Sequence, residues 1–501
     1  MALFASIALG YVKAHPLNLA PAFIGFYILY TIISAVLSPC RSVPGPLLAR
    51  FTRLWYLRRV RLGYFHLDNI ALHRKYGRVV RIAPNQFSID DPEAIRPIYG
   101  HGTKFTKSDW YRPSGNPDPT HNDLFTTQDT AIHSALRRKV ANLYSASTLV
   151  KLEDFVEECI DLLFDRLTEI SREDREIDLQ FWMQCYAFDV IGYLTCGKRF
   201  GFLDAGKDEP GMFASLHSYL GYTASVGIMH EFHKILFPIF LTAGSSGMAH
   251  MMKFTQEQIT AAEYGGDKSG KADFLSRTMK LHKEDPEKFT NIDVFTTCIT
   301  NIGAGSDTTS ISLSAVIHAL MTHPAAMAKL RAEVEHHAGS DGHISFQNTQ
   351  KMPYLQACIK EALRLHPATG LPLARVVPKD GAVLAGRHFP AGVIVGVNTW
   401  VAHRNTEIFG SDAEHFRPER WLEAEKEQLS RMEEYYLPFG HGSRTCIGKN
   451  ISLLEMNKLI PLLIRRFDLS LANPDAQLEC QNVWFVKQTN LICRVSERIS
   501  E

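Results

Sequence analysis

Between His15 and Arg41 the chain carries no formal charge, and NLAPAFIGFYILYTIISAVLS is a run long enough to span a bilayer as a helix. The pattern predicts a transmembrane helix over about residues 18–38. Only Lys13 is charged before it, whereas Arg41, Arg50, Arg53, Arg58, Arg59 and Arg61 follow, and the first acidic residue is Asp68. Positive charge gathers on the cytosolic side of a membrane, so this asymmetry puts the body of the protein in the cytosol. A cleaved signal peptide needs a basic start, a shorter apolar core and small residues at a cleavage point, which fit poorly here. Ser42-Val43-Pro44-Gly45-Pro46 then alternates residues that resist helix. The expected division is an anchor-bearing segment 1–40, a basic Pro/Gly hinge 41–62 and one large domain 63–501, with no linker or repeat inside it.

Within that domain the apolar positions recur mostly at helical spacing. Helices are expected near 129–144, 147–171, 178–197, 210–222, 250–264 and 271–283, then from about Asn291 to Thr322, with Pro324 opening the next. A helix of that length spans about 45 Å and would cross the domain. Strict alternation is confined to VVRIAPNQFSID (79–90), a hairpin, and to RVVP (375–378) and GVIVGVNTW (392–400). Residues 100–128 are rich in Gly, Pro, Asn and Asp with Trp110, Tyr111 and Phe125 among them, the composition of a lid over a ligand pocket. The expected fold class is mainly α with small β-sheets.

Composition adds two exclusions. A net charge of +1 gives no global attraction for nucleic acid, and nine cysteines without close pairs give no disulfide framework. The candidate chemistry lies in FGHGSRTCIG, residues 439–448. Cys446 stands alone among glycines before the amphipathic run IGKNISLLEMNKLIPLLIRRF, so its sulfur sits at a helix start, where N–H groups favour thiolate. Structural zinc wants four close Cys or His ligands, and only His441 is near. Gly440, Gly442 and Gly448 allow close backbone approach to something flat, Arg444 offers a cation to an anion, and Phe439 offers an aromatic wall. A thiolate, a flat partner and an anion together describe haem iron with its propionates.

Phe439, Gly442, Arg444, Cys446 and Gly448 resemble the haem-binding signature of the cytochrome P450 superfamily, the haem-thiolate monooxygenases. The resemblance implies that Cys446 is the axial ligand of the iron of haem b. In NIGAGSDTTS (301–310) the small residues resemble the family's oxygen-activation groove, and Asp307 and Thr308 match its acid and alcohol. KEALRLHP and FRPERW resemble its structural Glu–Arg–Arg network, here Glu361, Arg364 and Arg420. In HSALRRKV, Arg137 matches a propionate-binding base while His133 replaces the family's Trp, and Arg375 resembles a further propionate contact. LHRKYGRVVRIAPNQFSIDDPEAIRPIYG is similar to the filamentous-fungal secondary-metabolism branch that includes pisatin demethylase.

The function implied is a membrane-anchored monooxygenase of the endoplasmic reticulum, facing the cytosol and acting on an apolar terpenoid, polyketide or aromatic molecule. No flavin or nicotinamide fingerprint is present, so a separate NADPH–cytochrome reductase would supply electrons, with cytochrome b5 as a further donor. Segments 110–125, 295–309, 368–374 and 484–486 are expected to line the pocket. The alternatives that stay open are a haem-thiolate isomerase, dehydratase or peroxide-using enzyme, and a non-catalytic haem sensor.

Overall fold

The computed structural model describes residues 16–115, 121–242, 246–265, 273–339 and 342–498. Helix α1 (Pro16–Leu37) leads into α2 (Leu54–Arg61) and α3 (Phe65–Tyr76). After the first strands come α4 (Thr130–Val140), α5 (Glu153–Arg172), α6 (Leu179–Cys196), α7 (Met212–Ile228) and α8 (His233–Thr242). Next are α9 (Ser246–Gly265), α10 (Phe274–Glu284), α11 (Asn291–Met321), α12 (Pro324–His337) and α13 (Pro353–Leu365). Two more, α14 (Lys426–Tyr435) and α15 (Lys449–Arg466), flank the cysteine turn.

The long helix α11 is the axis of the molecule. Thr290 and Asp293 cap its start reciprocally, which satisfies two N–H groups that would otherwise be orphaned. It packs against α6, α13 and α15. Helix α6 is buried almost throughout and ends at Gly197, whose φ of +65° needs a residue without Cβ.

The larger sheet has the order β1-β2-β8-β5-β3, built from β1 (Val79–Ala83), β2 (Gln86–Ile89), β3 (Thr106–Lys107), β5 (Arg375–Val376) and β8 (Ile394–Gly396). Its β2–β8 pair is parallel and the others antiparallel. Strand β4 (Ile177–Asp178) joins β12 (Ile492–Glu497) and β9 (Phe467–Leu471), while β6 (Ala382–Leu384) pairs β7 (Arg387–Phe389) and β10 (Glu479–Asn482) pairs β11 (Val486–Thr489). The core has one large helical cluster and a second cluster around the larger sheet.

The architecture is the helical one expected, with small sheets. The segment 41–62 does more than the expected hinge, since it folds into Leu47–Arg50 and α2 and buries Val43, Ala49, Tyr56 and Val60. Asn398 ends the alternating run 392–400 early by capping a short helix, Thr399–Ala402. Among the described residues no single helix is long and apolar enough to cross a membrane; the apolar helix found is Gly25–Leu37. The rest of the expected anchor lies where side chains, or for residues 1–15 the whole chain, are outside the described residues.

Candidate active site

The cysteine turn closes on itself before α15 begins. Cys446 N–H donates to Phe439 O at 2.8 Å, and Thr445 Oγ1 donates to Gly442 O at 2.8 Å. Gly442 has φ +62°, and a Cβ there would lie 2.0 Å from Tyr99 O, so no other residue fits. Gly448 is different: a Cβ there would meet only Cys446 Sγ, at 4.0 Å. Cys446 has open surface, yet burial pushes its thiol pKa up. Both hold if the surface borders an internal space walled by protein. The N–H groups of Gly448 and Lys449 and the Arg137 cation pull the other way without overcoming burial. The helix start therefore does not by itself give the expected depressed thiol. Iron ligation requires the deprotonated sulfur.

Helix α11 supplies another wall. Ala304 is exposed in the middle of a helix whose second half lies in the core, Thr300 is exposed one turn before it, and Gly303 and Thr308 are part-exposed beside it. Such exposure in mid-core means that they border an interior space. The helix is tied to the cysteine turn by Thr309 Oγ1 and Ser452 Oγ, 2.9 Å apart, with Ser452 in the first turn of α15. Gly305 has another reason to be small: a Cβ there would press Ile191 of α6 at 2.9 Å. Thr308 Oγ1 donates to Ala304 O at 2.8 Å. Asp307 does not join it. Its carboxylate is buried and accepts a hydrogen bond from Gln184 Nε2 of α6. Burial raises the Asp307 pKa, while Lys487, His217 and Gln184 act to lower it.

Cations crowd the same region without an ion-paired acid, although Asp123 acts on Lys107 and Asp129 on Arg444 from farther off. Arg137 Nη1 donates to Thr445 O at 2.8 Å, and Arg444 donates to Thr127 O at 2.6 Å and Gln128 O at 3.3 Å. Arg375 donates to Ala374 O at 3.0 Å and Tyr111 Oη at 3.4 Å. Directly across from Arg375, on β3, stands Lys107, a buried residue the sequence reading missed. Its ammonium donates to Phe125 O and lies 4.3 Å from the Tyr111 ring centre. Like charges facing each other across a strand pair are destabilising. Burial, then Arg375 and Arg444, hold the Lys107 pKa well below its ordinary value. Arg444 is lowered to about 10 by burial and Arg375, and buried His133 to about 4 by burial, Arg444 and Arg137. No described carboxylate forms an ion pair with Lys107, Arg137, Arg375 or Arg444. Lys107 and Arg375 are buried and Arg137 and Arg444 part-buried, and cations so placed without a paired acid call for an anion.

The Glu361 network is complete. Glu361 accepts from Arg364 Nη2 at 2.8 Å, Arg420 Nε at 2.8 Å and Trp421 Nε1 at 2.9 Å, all buried. Burial acts to raise the Glu361 pKa, but the arginines win and it lies below the ordinary value.

Three of the expected pocket segments meet through their aromatic side chains or backbone. Trp484 lies 4.7 Å from Trp110 and 5.4 Å from Phe125, ring centre to ring centre. Gly370 N–H donates to Trp484 O at 2.9 Å, and Trp484 holds φ +102°, a strained conformation for a bulky residue. A separate cleft of about 780 Å³, lined by His66, His366, Trp400, Arg404 and Cys480 among others, includes none of these site residues. Among the described residues one cluster has the spacing of metal ligands, Glu153, Glu157 and His343. The Lys458 ammonium already sits on its two carboxylates, at 2.7 and 2.6 Å.

The family model described as cytochrome P450 matches residues 44–493. Pisatin demethylase of Fusarium vanettenii is 39% identical over 472 residues, covering 93% of this chain and 90% of that protein. A cytochrome P450 monooxygenase of Aspergillus terreus is 37% identical over 446 residues, 85% of this chain and 90% of its own. Cytochrome P450 monooxygenase cicH of Emericella nidulans is 36% identical over 470 residues, 91% and 93% respectively. Match and fold agree along nearly the whole length, and the chain belongs to the cytochrome P450 family, as an oxidoreductase of the monooxygenase class.

Proposed function

We propose that this monooxygenase holds haem b on Cys446 and inserts one atom of O2 into an apolar small molecule of fungal secondary metabolism: RH + O2 + 2e⁻ + 2H⁺ gives ROH + H2O. The residues present fit such a group. An open sulfur, an exposed Ala304 and four cations without an ion-paired acid fit a flat ligand with one metal–sulfur bond and two carboxylates. The cations carry the reading, because none of the four is ion-paired with a described carboxylate. Arg137, Arg375, Arg444 and Lys107 would bind the propionates, with neutral His133 beside them and Phe439 and Gly448 bordering the sulfur. The chemistry a haem supplies there is activation of O2, with thiolate ligation favouring O–O cleavage.

The protein's own part is positioning and proton supply. Thr308, on the open face, holds a hydroxyl where protons are needed, and Asp307, buried on another face against Gln184, is the acid that restores them. The aromatic cluster of Trp110, Phe125 and Trp484 excludes water above the pocket. Electrons come from an NADPH–cytochrome reductase, assisted by cytochrome b5. The hydrocarbon anchor is the run 18–38, which lies almost wholly in α1. Phe26, Tyr27, Leu29 and Tyr30 of α1 are exposed, as are Leu47, Leu48, Leu54, Phe232, Ile235 and Ile239. Arg53 and Glu231, paired at 2.8 Å, join the last two groups into one apolar side suited to the endoplasmic reticulum surface.

Cys446→Ala tests the reading. The reduced wild type should give the carbon monoxide spectrum of sulfur-ligated haem and the variant should lose it; an unchanged spectrum moves the ligand elsewhere. Thr308→Ala should bind substrate normally but send electrons to peroxide, and tight coupling would remove Thr308 from proton delivery. The substrate itself is found by deleting the gene in its host and identifying the metabolite that accumulates one oxygenation short.

A further inference from the structure

Asp307 is held by a neutral amide that is itself held by a cation. Gln184 Nε2 donates to Asp307 Oδ1, and Gln184 Oε1 accepts from Lys487 Nζ. Gln184 and Asp307 are buried at 1% and 2% exposure, so water does not compete for either. Lys487 is half-buried on β11, which brings its charge from the direction of the surface.

The donor inventory makes this arrangement directional. An amide has one accepting end and one donating end, whereas an ammonium can only donate. Lys487 can therefore bond only the Oε1 end of Gln184, which leaves the N–H end for Asp307. An N–H facing a carboxyl group favours its charged form, and a carbonyl oxygen in its place would require the protonated acid. The charge at position 487 thus decides which way a buried amide points.

We propose that Lys487 and Gln184 are positioning residues that keep Asp307 an anionic proton acceptor between turnovers, so that each proton it delivers must first be taken up. This rests on Asp307 serving the reaction at all. The other group facing it is His217 of α7, which burial and Lys487 hold below its ordinary pKa and hence neutral at pH 7. Lys487 also faces Asp178 at the start of α6, whose pKa burial raises while the Phe181 and Gln180 N–H groups and Lys487 act to lower it. Two carboxylates therefore share its charge, and Asp307 receives it through the amide.

The test uses the full-length, haem-loaded protein, with wild type, Lys487→Met, Lys487→Arg, Gln184→Leu and Asp307→Asn each checked for an unchanged carbon monoxide spectrum. Infrared difference spectra at pH 7 read the C=O stretch of a protonated carboxylic acid, assigned to Asp307 by its loss on adding Asp307→Asn. Wild type and Lys487→Arg should lack the band. Lys487→Met should gain it, with a larger share of NADPH electrons recovered as peroxide. Gln184→Leu reaches the same state without touching the lysine, which covers failure of the first variant to fold. If Asp307→Asn alters the product-to-peroxide ratio while neither variant gains the band, the harness is wrong and the acid's role stands. If Asp307→Asn changes nothing, the acid's role falls and this inference goes with it.

Discussion

Two arginine-rich regions lie buried in this molecule, and they are built on opposite principles. In the Glu361 network, Arg364 places its five N–H groups on Glu361, His403 O, Ala413 O and His415 O. Arg420 does the same with Glu361, Phe409 O, Asp412 and His415 O. Charge and hydrogen bonds both close within the protein. Around the cysteine turn, Arg137, Arg375, Arg444 and Lys107 find carbonyls and one phenol but no acid. The first region closes its charge on folding, whereas the second pairs with no described carboxylate, as the proposed propionate site requires. Residue type does not separate structural from binding arginines; the presence of a counter-charge does.

The contrast breaks most visibly at Glu361. Glu361→Ala leaves buried Arg364 without a carboxylate and Arg420 with Asp412 alone, which costs about 3–5 kcal/mol. Against a total stability on the order of 5–15 kcal/mol, much of the protein is expected to unfold or aggregate. Denaturant midpoints would read this, with or without haem. A midpoint within experimental error of wild type would mean that the network does not stabilise the fold. Because the Glu361 pKa is depressed on folding, its contribution is present at neutral pH and is lost as pH falls below the usual carboxylate range.

The same kind of change in the other region should have the opposite sign. Arg375→Met removes a cation opposite Lys107, so the haem-free protein should become more stable, by about 0.2–1 kcal/mol. Haem loss to a scavenger should at the same time quicken. Lys107→Met should act in the same direction on both measurements, and loss of stability in the haem-free form would show these cations to be structural after all.

How much of this was legible beforehand follows from sequence distance. Cys446, Arg444, Phe439 and Gly442 are neighbours, so their spacing alone suggested a site before any fold was known. The Glu361–Arg364 spacing was legible too, but not its burial: a pair three apart on a helix looks like surface, and Arg417 N–H, Arg420 and Trp421 arrive from a distant turn. Lys107 carried no local signal, because its meaning comes from the β3–β5 pairing with Arg375. Gln184 and Lys487 were invisible for the same reason. The helix α8 and strands such as β6 and β7 escaped notice because they are short and partly exposed, without a full period of alternation. Asp307 and Thr308 were correctly seen as adjacent, yet a helix turns by about 100° per residue, and adjacency does not put two side chains on one face.

The smallest effect sharpens the comparison through pH. His133 has a folded pKa of about 4, lowered by burial and by Arg444 and Arg137, against about 6.5 for the unfolded side chain. Between these values the unfolded chain binds more protons, so stability falls as pH drops from about 6.5 toward 4 and levels off below. Buried His366, also at about 4, adds a similar slope, so the His133 part must be read as wild type minus His133→Gln. In the haem-free protein that difference should span the whole window. With propionates present the surrounding cations are neutralised, the pKa of His133 rises, and the window should narrow from its acid end. Denaturation across this pH range, with and without haem, measures both. An equal window in the two forms would mean that no anion settles beside His133, and the cations would then need a counter-charge other than the one a porphyrin brings.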